Sequence, residues 1–280
     1  MTSIFTRDDF EILVATMNRT SLDFLHSMFP HTLFSEYAIL IINQTTEGSL
    51  LQSDYPNIRV VNSVERGLSK SRNLALQYAK GKIVLIADDD VIYHPDFEIT
   101  ILNAFEKLNY PSVITFNHQR IGAIGFHKKF QKEFLHTSKS ILGVSSIEIA
   151  FLLEDIKKND INFDEQFGLG AFFETAEEFL FLRKVLDAKL RTYFSPAVIV
   201  SHPLLSSGVK EGSDELIYAR SALFYKLKGV FGYLWLMKYL FFLLRNRYIN
   251  PSQLYKKLEK GLEGIEKYRE LKSFAHDKSK

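Results

Sequence analysis

Three consecutive carboxylates, Asp88, Asp89 and Asp90, stand directly after the apolar run of residues 83–87. Clustered carboxylate oxygens are the hard ligands that Mg²⁺ or Mn²⁺ prefers. A second acidic group, Glu177-Glu178, opens a run with helical spacing in Phe181, Val185 and Leu186, and a carboxylate so placed can take a proton from an attacking hydroxyl. His202, followed by Pro203 after another apolar run, adds an imidazole. Each group also has an ordinary explanation. An Asp triplet makes a solvated turn, a helix start attracts acids through its dipole, and His-Pro ends a strand. What they mean together depends on the elements that carry them.

Residues 11–15 form a short apolar run that reads as a strand, followed by the loop Thr16-Met17-Asn18-Arg19 and a helix capped by Ser21 and running to Met28. Residues 37–42 read as a second buried strand ending at Asn43-Gln44, and 58–61 as a third. Ser69 is the expected N-cap of a helix continuing to Ala79. Residues 82–87 are the fourth strand, which delivers the Asp triplet to its carboxyl end. A helix over 97–108 and a strand over 112–116 follow. Continuously apolar strands alternating with helices predict an α/β fold, Rossmann-like, with a mostly parallel sheet covered by helices on both faces. In such sheets ligands bind in the crevice outside the carboxyl ends of the strands. The pattern becomes irregular over 120–139, around Gly122 and Gly125. It resumes with a strand over 145–152, a Gly-punctuated loop over 162–170, a helix over 177–190 and a strand over 197–200.

With 280 residues, 46% of them apolar, the chain is long enough for a packed core. Its net charge of +2 is too small to indicate nucleic acid as a partner. The absence of cysteine excludes disulfides, thiolate metal sites and a Cys nucleophile. The amino-terminal MTSIFTRDDFEILV lacks a basic region followed by a long apolar run, so a cytoplasmic location is expected. Residues 216–258 hold no acid but eight Lys or Arg. The apolar run 231–244, interrupted by Lys238, is shorter than the roughly 20 residues needed to span a bilayer. Its aromatics and cations suit the surface of an anionic membrane. The same pattern suits packing on the catalytic domain or on a second subunit of a homodimer. Asn250-Pro251-Ser252 should cap a last helix reaching about Phe274.

Taken in order, the segments resemble the family 2 glycosyltransferases of the A-type, nucleotide-sugar-dependent fold. The resemblance rests on Thr16-Met17-Asn18-Arg19 after the first strand and Asn43-Gln44 after the second. Gly67-Leu68-Ser69-Lys70-Ser71-Arg72-Asn73 matches the form Gly-x-Ser-x-x-Arg-Asn, and Asp88-Asp89-Asp90 the Asp-x-Asp element. The later elements are residues 163–170 with Glu177-Glu178, and His202. Two departures stand out: Asn43-Gln44 where an Asp is usual, and Glu178 where many members carry Asp.

The resemblance implies a metal-dependent, inverting hexosyltransferase of polysaccharide biosynthesis. It would move a sugar from a nucleotide-sugar, a UDP-sugar above others, to a hydroxyl of a glycan or lipid-linked acceptor. Asp90 would bind Mn²⁺ or Mg²⁺ directly, with Asp88 beside it and His202 completing the shell, while Asp88 or Asp89 contacts the ribose or a metal-bound water. Thr16, Asn18, Arg19, Asn43, Gly67, Lys70 and Arg72 would line the nucleotide. Glu178 is the favoured base, with Glu177 turned to the acceptor or the loop, because adjacent helix positions diverge by about 100°; Glu174 is an outside candidate. The expected division is a catalytic domain over 1–210, with a nucleotide-sugar half to 117 and an acceptor half over 118–210, and a helical extension over 211–280. Two other readings compete. A sugar-nucleotide pyrophosphorylase would need a Gly-rich basic loop after the first strand, which Thr16-Met17-Asn18 is not. A nucleotide-sugar-binding protein without activity would not need Asp90 and Glu178 intact.

Overall fold

The computed structural model describes residues 5–121, 130–203 and 211–278, so Gly122 and Gly125 lie outside the described residues. The elements run β1 (Phe10–Met17), α1 (Phe24–Met28), β2 (Ala38–Gln44), β3 (Ile58–Ser63), α2 (Leu68–Tyr78), β4 (Ile83–Asp88), β5 (Ile92–Tyr93), α3 (Phe97–Lys107) and β6 (Val113–Ile121). They continue with β7 (Phe134–Leu135), β8 (Ile149–Leu152), α4 (Leu153–Lys158), α5 (Glu177–Asp187), β9 (Thr192–Pro203), α6 (Asp214–Lys228), α7 (Phe231–Arg245) and α8 (Leu254–Lys278). The chain divides into two compact units. One comprises Met1–Asp164 and Glu177–Ser206, the other Glu165–Ala176 and Ser207–Lys280.

The first unit is built on one sheet in the order β3-β2-β1-β4-β8-β6-β9-β5, with β7 added on β9. β1, β2, β3 and β4 run parallel, as their continuously buried apolar residues predict. β1 and β4 show why: Ile12, Val14, Ile83, Val84, Leu85 and Ala87 are all buried, so both faces of the sheet must be covered. Each large apolar side chain taken from water in this way contributes about 1.5–3 kcal/mol. Register then fixes the site. Thr16 lies opposite Asn43, and Ala15 opposite Asp88, so the ends of β1, β2 and β4 meet at one edge.

Three local expectations are corrected. Ser69 is not the cap of α2. Gly67 occupies that position at φ 120°, a conformation suited to glycine, and Ser69 lies buried in the first turn. The strand expected over 145–152 begins only at Ile149, because Ser145 and Glu148 close a capping box around a short 3₁₀ turn. It enters the sheet antiparallel, between β4 and β6. The last strand runs from Thr192 to Pro203 rather than over 197–200, and its pairing with β6 shifts register near Asn117.

In the second unit α6, α7 and α8 pack around Ile217, Leu236, Leu240, Leu243 and Ile265. α6 and α8 approach closely at Gly264, where an added Cβ would lie 2.2 Å from the Tyr218 carbonyl oxygen. Phe167 and Phe173, from the Gly-punctuated segment, are buried here, and Phe173 tilts against Tyr218 and Tyr268.

Candidate active site

The three carboxylates at the end of β4 are held in three different ways. β5 follows them at once and pairs antiparallel with β9, Ile92 opposite Ser201, which turns Asp90 toward His202. The His202 Nε2 lies 3.2 Å from Asp90 Oδ1, and Asp90 remains 53% exposed. The contact with His202 holds the Asp90 carboxyl below the usual carboxylate range. Asp89 turns toward β1: its Oδ2 accepts hydrogen bonds from Thr16 Oγ1 at 2.6 Å and from Arg19 Nε and Nη2 at 2.9 and 2.7 Å. Asp88 accepts from Arg72 Nη2 at 3.0 Å and from Ser146 Oγ at 3.4 Å.

Arg72 is the least expected member. Its guanidinium is buried, lies over the Phe163 ring, and spans two carboxylates, donating through Nη1 to Glu177 Oε1 at 3.2 Å as well as to Asp88. Burial disfavours its charge, but Asp88, Glu177 and Glu178 outweigh that and keep it protonated. The neighbouring Asn73 pins the segment that carries Phe163. Its Oδ1 accepts from the Phe163 N–H at 2.7 Å, and its Nδ2 donates to the Phe163 carbonyl at 3.1 Å. The Arg-Asn pair thus closes α2 onto residues nearly a hundred positions away.

Glu177 and Glu178 open α5 in different surroundings. Glu177 is bonded to Arg72, and the charges of both carboxylates act on that guanidinium. Ala176, just before them, turns the chain with φ 63°. The Glu178 residue keeps some surface, but its Oε2 is buried without a hydrogen-bond partner. Burial, reinforced by the charge of Glu177 and opposed by Arg72, pushes its carboxyl up to about 8. Glu174 spends its carboxylate on the Gly170 N–H at 3.2 Å.

The residues expected to read the nucleotide divide. Thr16 and Arg19 reach the carboxylate cluster through Asp89. Asn43 does not present its side chain to the crevice. It is fully buried, accepting from the Arg19 N–H at 3.1 Å and donating to the Arg19 carbonyl at 3.0 Å and to Asn62 Oδ1 at 2.9 Å. It shapes the loop instead, together with Asn18, whose φ of 55° is one that asparagine tolerates and whose N–H donates to the Gln44 carbonyl. Gln44 clamps Gly67 by donating to its carbonyl at 2.8 Å and accepting from its N–H at 3.3 Å. Lys70 pairs with Glu65 in an exposed ion pair. Ser146 and Asn73 were not singled out from sequence. The only signal for Asn73 was its place beside Arg72 in the matched motif.

Among the described residues no group of three or more His, Asp or Glu is placed to hold a metal ion. Asp90 and His202 offer one carboxylate and one imidazole. That set fits a divalent ion that completes its shell with phosphate oxygens and water, as Mg²⁺ commonly does beside a diphosphate.

A mostly parallel sheet surrounded by helices, with carboxylates gathered at its strand ends, is the architecture of the A-type glycosyltransferase fold. The chain belongs to glycosyl transferase family 2, whose family model matches residues 40–188, more than half of its length. The matched region holds Arg72, the Asp triplet and the Glu pair, and leaves Thr16 to Arg19 and His202 outside. No curated protein sequence is significantly similar. Among solved structures, the chain resembles Staphylococcus aureus TarS residues 1–349 in complex with UDP-GlcNAc, with a TM-score of 0.56 and 16% identity over 91% of this chain and 81% of that one. The complex of the same fragment with UDP gives 0.53 and 18%, over 91% and 80%. A longer TarS structure gives 0.52 and 20%, over 77% of this chain, which spans only 39% of that one.

Proposed function

We propose that the protein transfers a hexosyl group from a UDP-sugar to a hydroxyl of a glycan or lipid-linked acceptor, inverting the anomeric centre. The observation that carries this reading is the chain of contacts from Asp88 through Arg72 to Glu177, which ties the Asp triplet to the acidic pair opening α5. Family membership and the fold shared with TarS structures that hold UDP-GlcNAc and UDP support the donor class. Asp90 and His202 would hold Mn²⁺ or Mg²⁺. When bound, such an ion neutralises charge that grows on a departing diphosphate. Asp88 is kept in a fixed orientation by Arg72 and Ser146, and Asp89 by Thr16 with Arg19, so the Asp89 Oδ1 can meet a ribose or a bound water without reorganising.

Glu178 is the base of this proposal. A carboxyl raised to about 8 is a far stronger proton acceptor, once ionised, than one in its ordinary range. A single displacement, with the acceptor oxygen bonding to the anomeric carbon as the diphosphate leaves and the hydroxyl proton passing to Glu178, inverts the configuration. The test is to offer a panel of nucleotide sugars with and without Mn²⁺ and to read donor consumption and product configuration by NMR. Turnover of a UDP-sugar to an inverted product is expected; a product that keeps the donor's configuration refutes the single displacement. A lipid-linked acceptor would bring the enzyme beside a bilayer.

A further inference from the structure

α7 buries one side and leaves the other exposed among the described residues. Gly232, Leu236, Tyr239, Leu240 and Leu243 recur every three or four residues and form its buried face, packed among α6 and α8. On the opposite ridge Phe231, Leu234 and Phe241 are 67%, 60% and 66% exposed, with Met237 and Phe242 on its flanks, also exposed. A contiguous apolar face of this kind marks a surface that meets something.

The charges say what. Lys238 and Arg245 stand on the same ridge, and neither is in an ion pair among the described residues. No acid of α8 pairs with them among the described residues: Lys260 pairs with Glu263, Arg269 with Glu266 and Lys267 with Glu270, and Glu259 stands exposed outside these pairs. At the start of α6, Asp214 is taken by Lys256 and Lys257.

We propose that the outer face of α7 is the surface by which this protein lies on an anionic lipid bilayer. Its phenylalanines and leucine would enter the boundary between headgroups and acyl chains, while Lys238 and Arg245 extend along the apolar surface to the phosphates. The fit to a second copy of the chain is poor. A two-fold pairing of this ridge would press Lys238 and Arg245 toward one another, and residues 216–258 hold no acid to receive them. Spanning is excluded by length. Fifteen helical residues reach about 22 Å against a hydrocarbon core of about 30 Å, and no described helix is long and apolar enough to cross a membrane. This surface is independent of the proposed transfer reaction, and its test does not use activity.

The experiment is co-sedimentation of the full chain with vesicles of phosphatidylcholine alone and of phosphatidylcholine with phosphatidylglycerol, at low and high salt, with light scattering to fix the oligomeric state. A monomer that binds only the phosphatidylglycerol vesicles, and leaves them at high salt, is the expected result. Phe231→Ser and Phe241→Ser should each weaken partition about tenfold. Lys238→Gln and Arg245→Gln should each weaken it about fivefold, and as exposed polar changes they leave the fold intact. No binding at low salt, partition unchanged in all four variants, or a dimer that Phe241→Ser dissociates would each overturn the proposal.

Discussion

Replacing Glu178 by Gln separates what this residue does for stability from what it does for chemistry. The carboxyl is raised from 4.5 to about 8, chiefly by burial and then by the Glu177 charge, so between these values the folded protein holds a proton that the unfolded chain releases. Stability contributed by this group is therefore full below pH 4.5 and lost as pH rises toward 8, at about 1.4 kcal/mol per pH unit at most. Gln keeps the shape and cannot ionise. Glu178→Gln should thus melt higher than the parent at pH 8, with the difference shrinking to nothing near pH 4.5. Transfer should fall by about 10²–10⁴-fold, the usual loss on removing a positioned base. In the parent, kcat/KM should climb with pH, pass half its maximum near 8 and level only above that, since the ionised form is the active one. Melting curves and initial rates across pH 5 to 9 read both. A rate that levels near pH 5, or a Glu178→Gln variant with near-normal turnover while Glu177→Gln is dead, would refute the assignment and pass the base to Glu177.

Two further outcomes follow from the buried network. Arg72→Met leaves Asp88 and Glu177 without their shared cation and should destabilise the fold by about 3–5 kcal/mol, read from denaturant midpoints; Arg72→Lys, unable to span both carboxylates, should recover only part of this. Asn43→Asp restores the residue more usual in the family, yet it removes the donor to the Arg19 carbonyl and to Asn62 Oδ1, so it should cost about 1–3 kcal/mol without tightening UDP. Tighter UDP binding by that variant would mean that position 43 does reach the base.

The sequence reading was strongest where local pattern and burial agree. The apolar run before Asp88 could only be a strand covered on both faces, and the alternation of such runs with helices predicted the parallel sheet. It was weaker where a side chain's task depends on distant partners. Arg72 was expected only to line the nucleotide; its partners Asp88 and Glu177 stand 16 and 105 residues away, and no periodicity reports them. Asn43 ends a strand in the place of a base-reading residue, but the loop it braces consumes its amide. β8 was visible as an apolar stretch, whereas its antiparallel entry between β4 and β6 is set by the chain's path and leaves no mark on composition. Ser69 is a good cap by type, and Gly67 displaced it because the turn into α2 needs φ 120°.

The central claim is that Asp90 and His202, brought together by β5 and β9, hold a divalent ion against a nucleoside diphosphate. Isothermal titration of UDP into the protein with and without Mn²⁺, repeated on Asp90→Ala, tests it most directly. The account predicts that Mn²⁺ strengthens UDP binding to the parent and that Asp90→Ala abolishes this gain while metal-free binding changes little; equal metal-dependent affinity in parent and variant would contradict it.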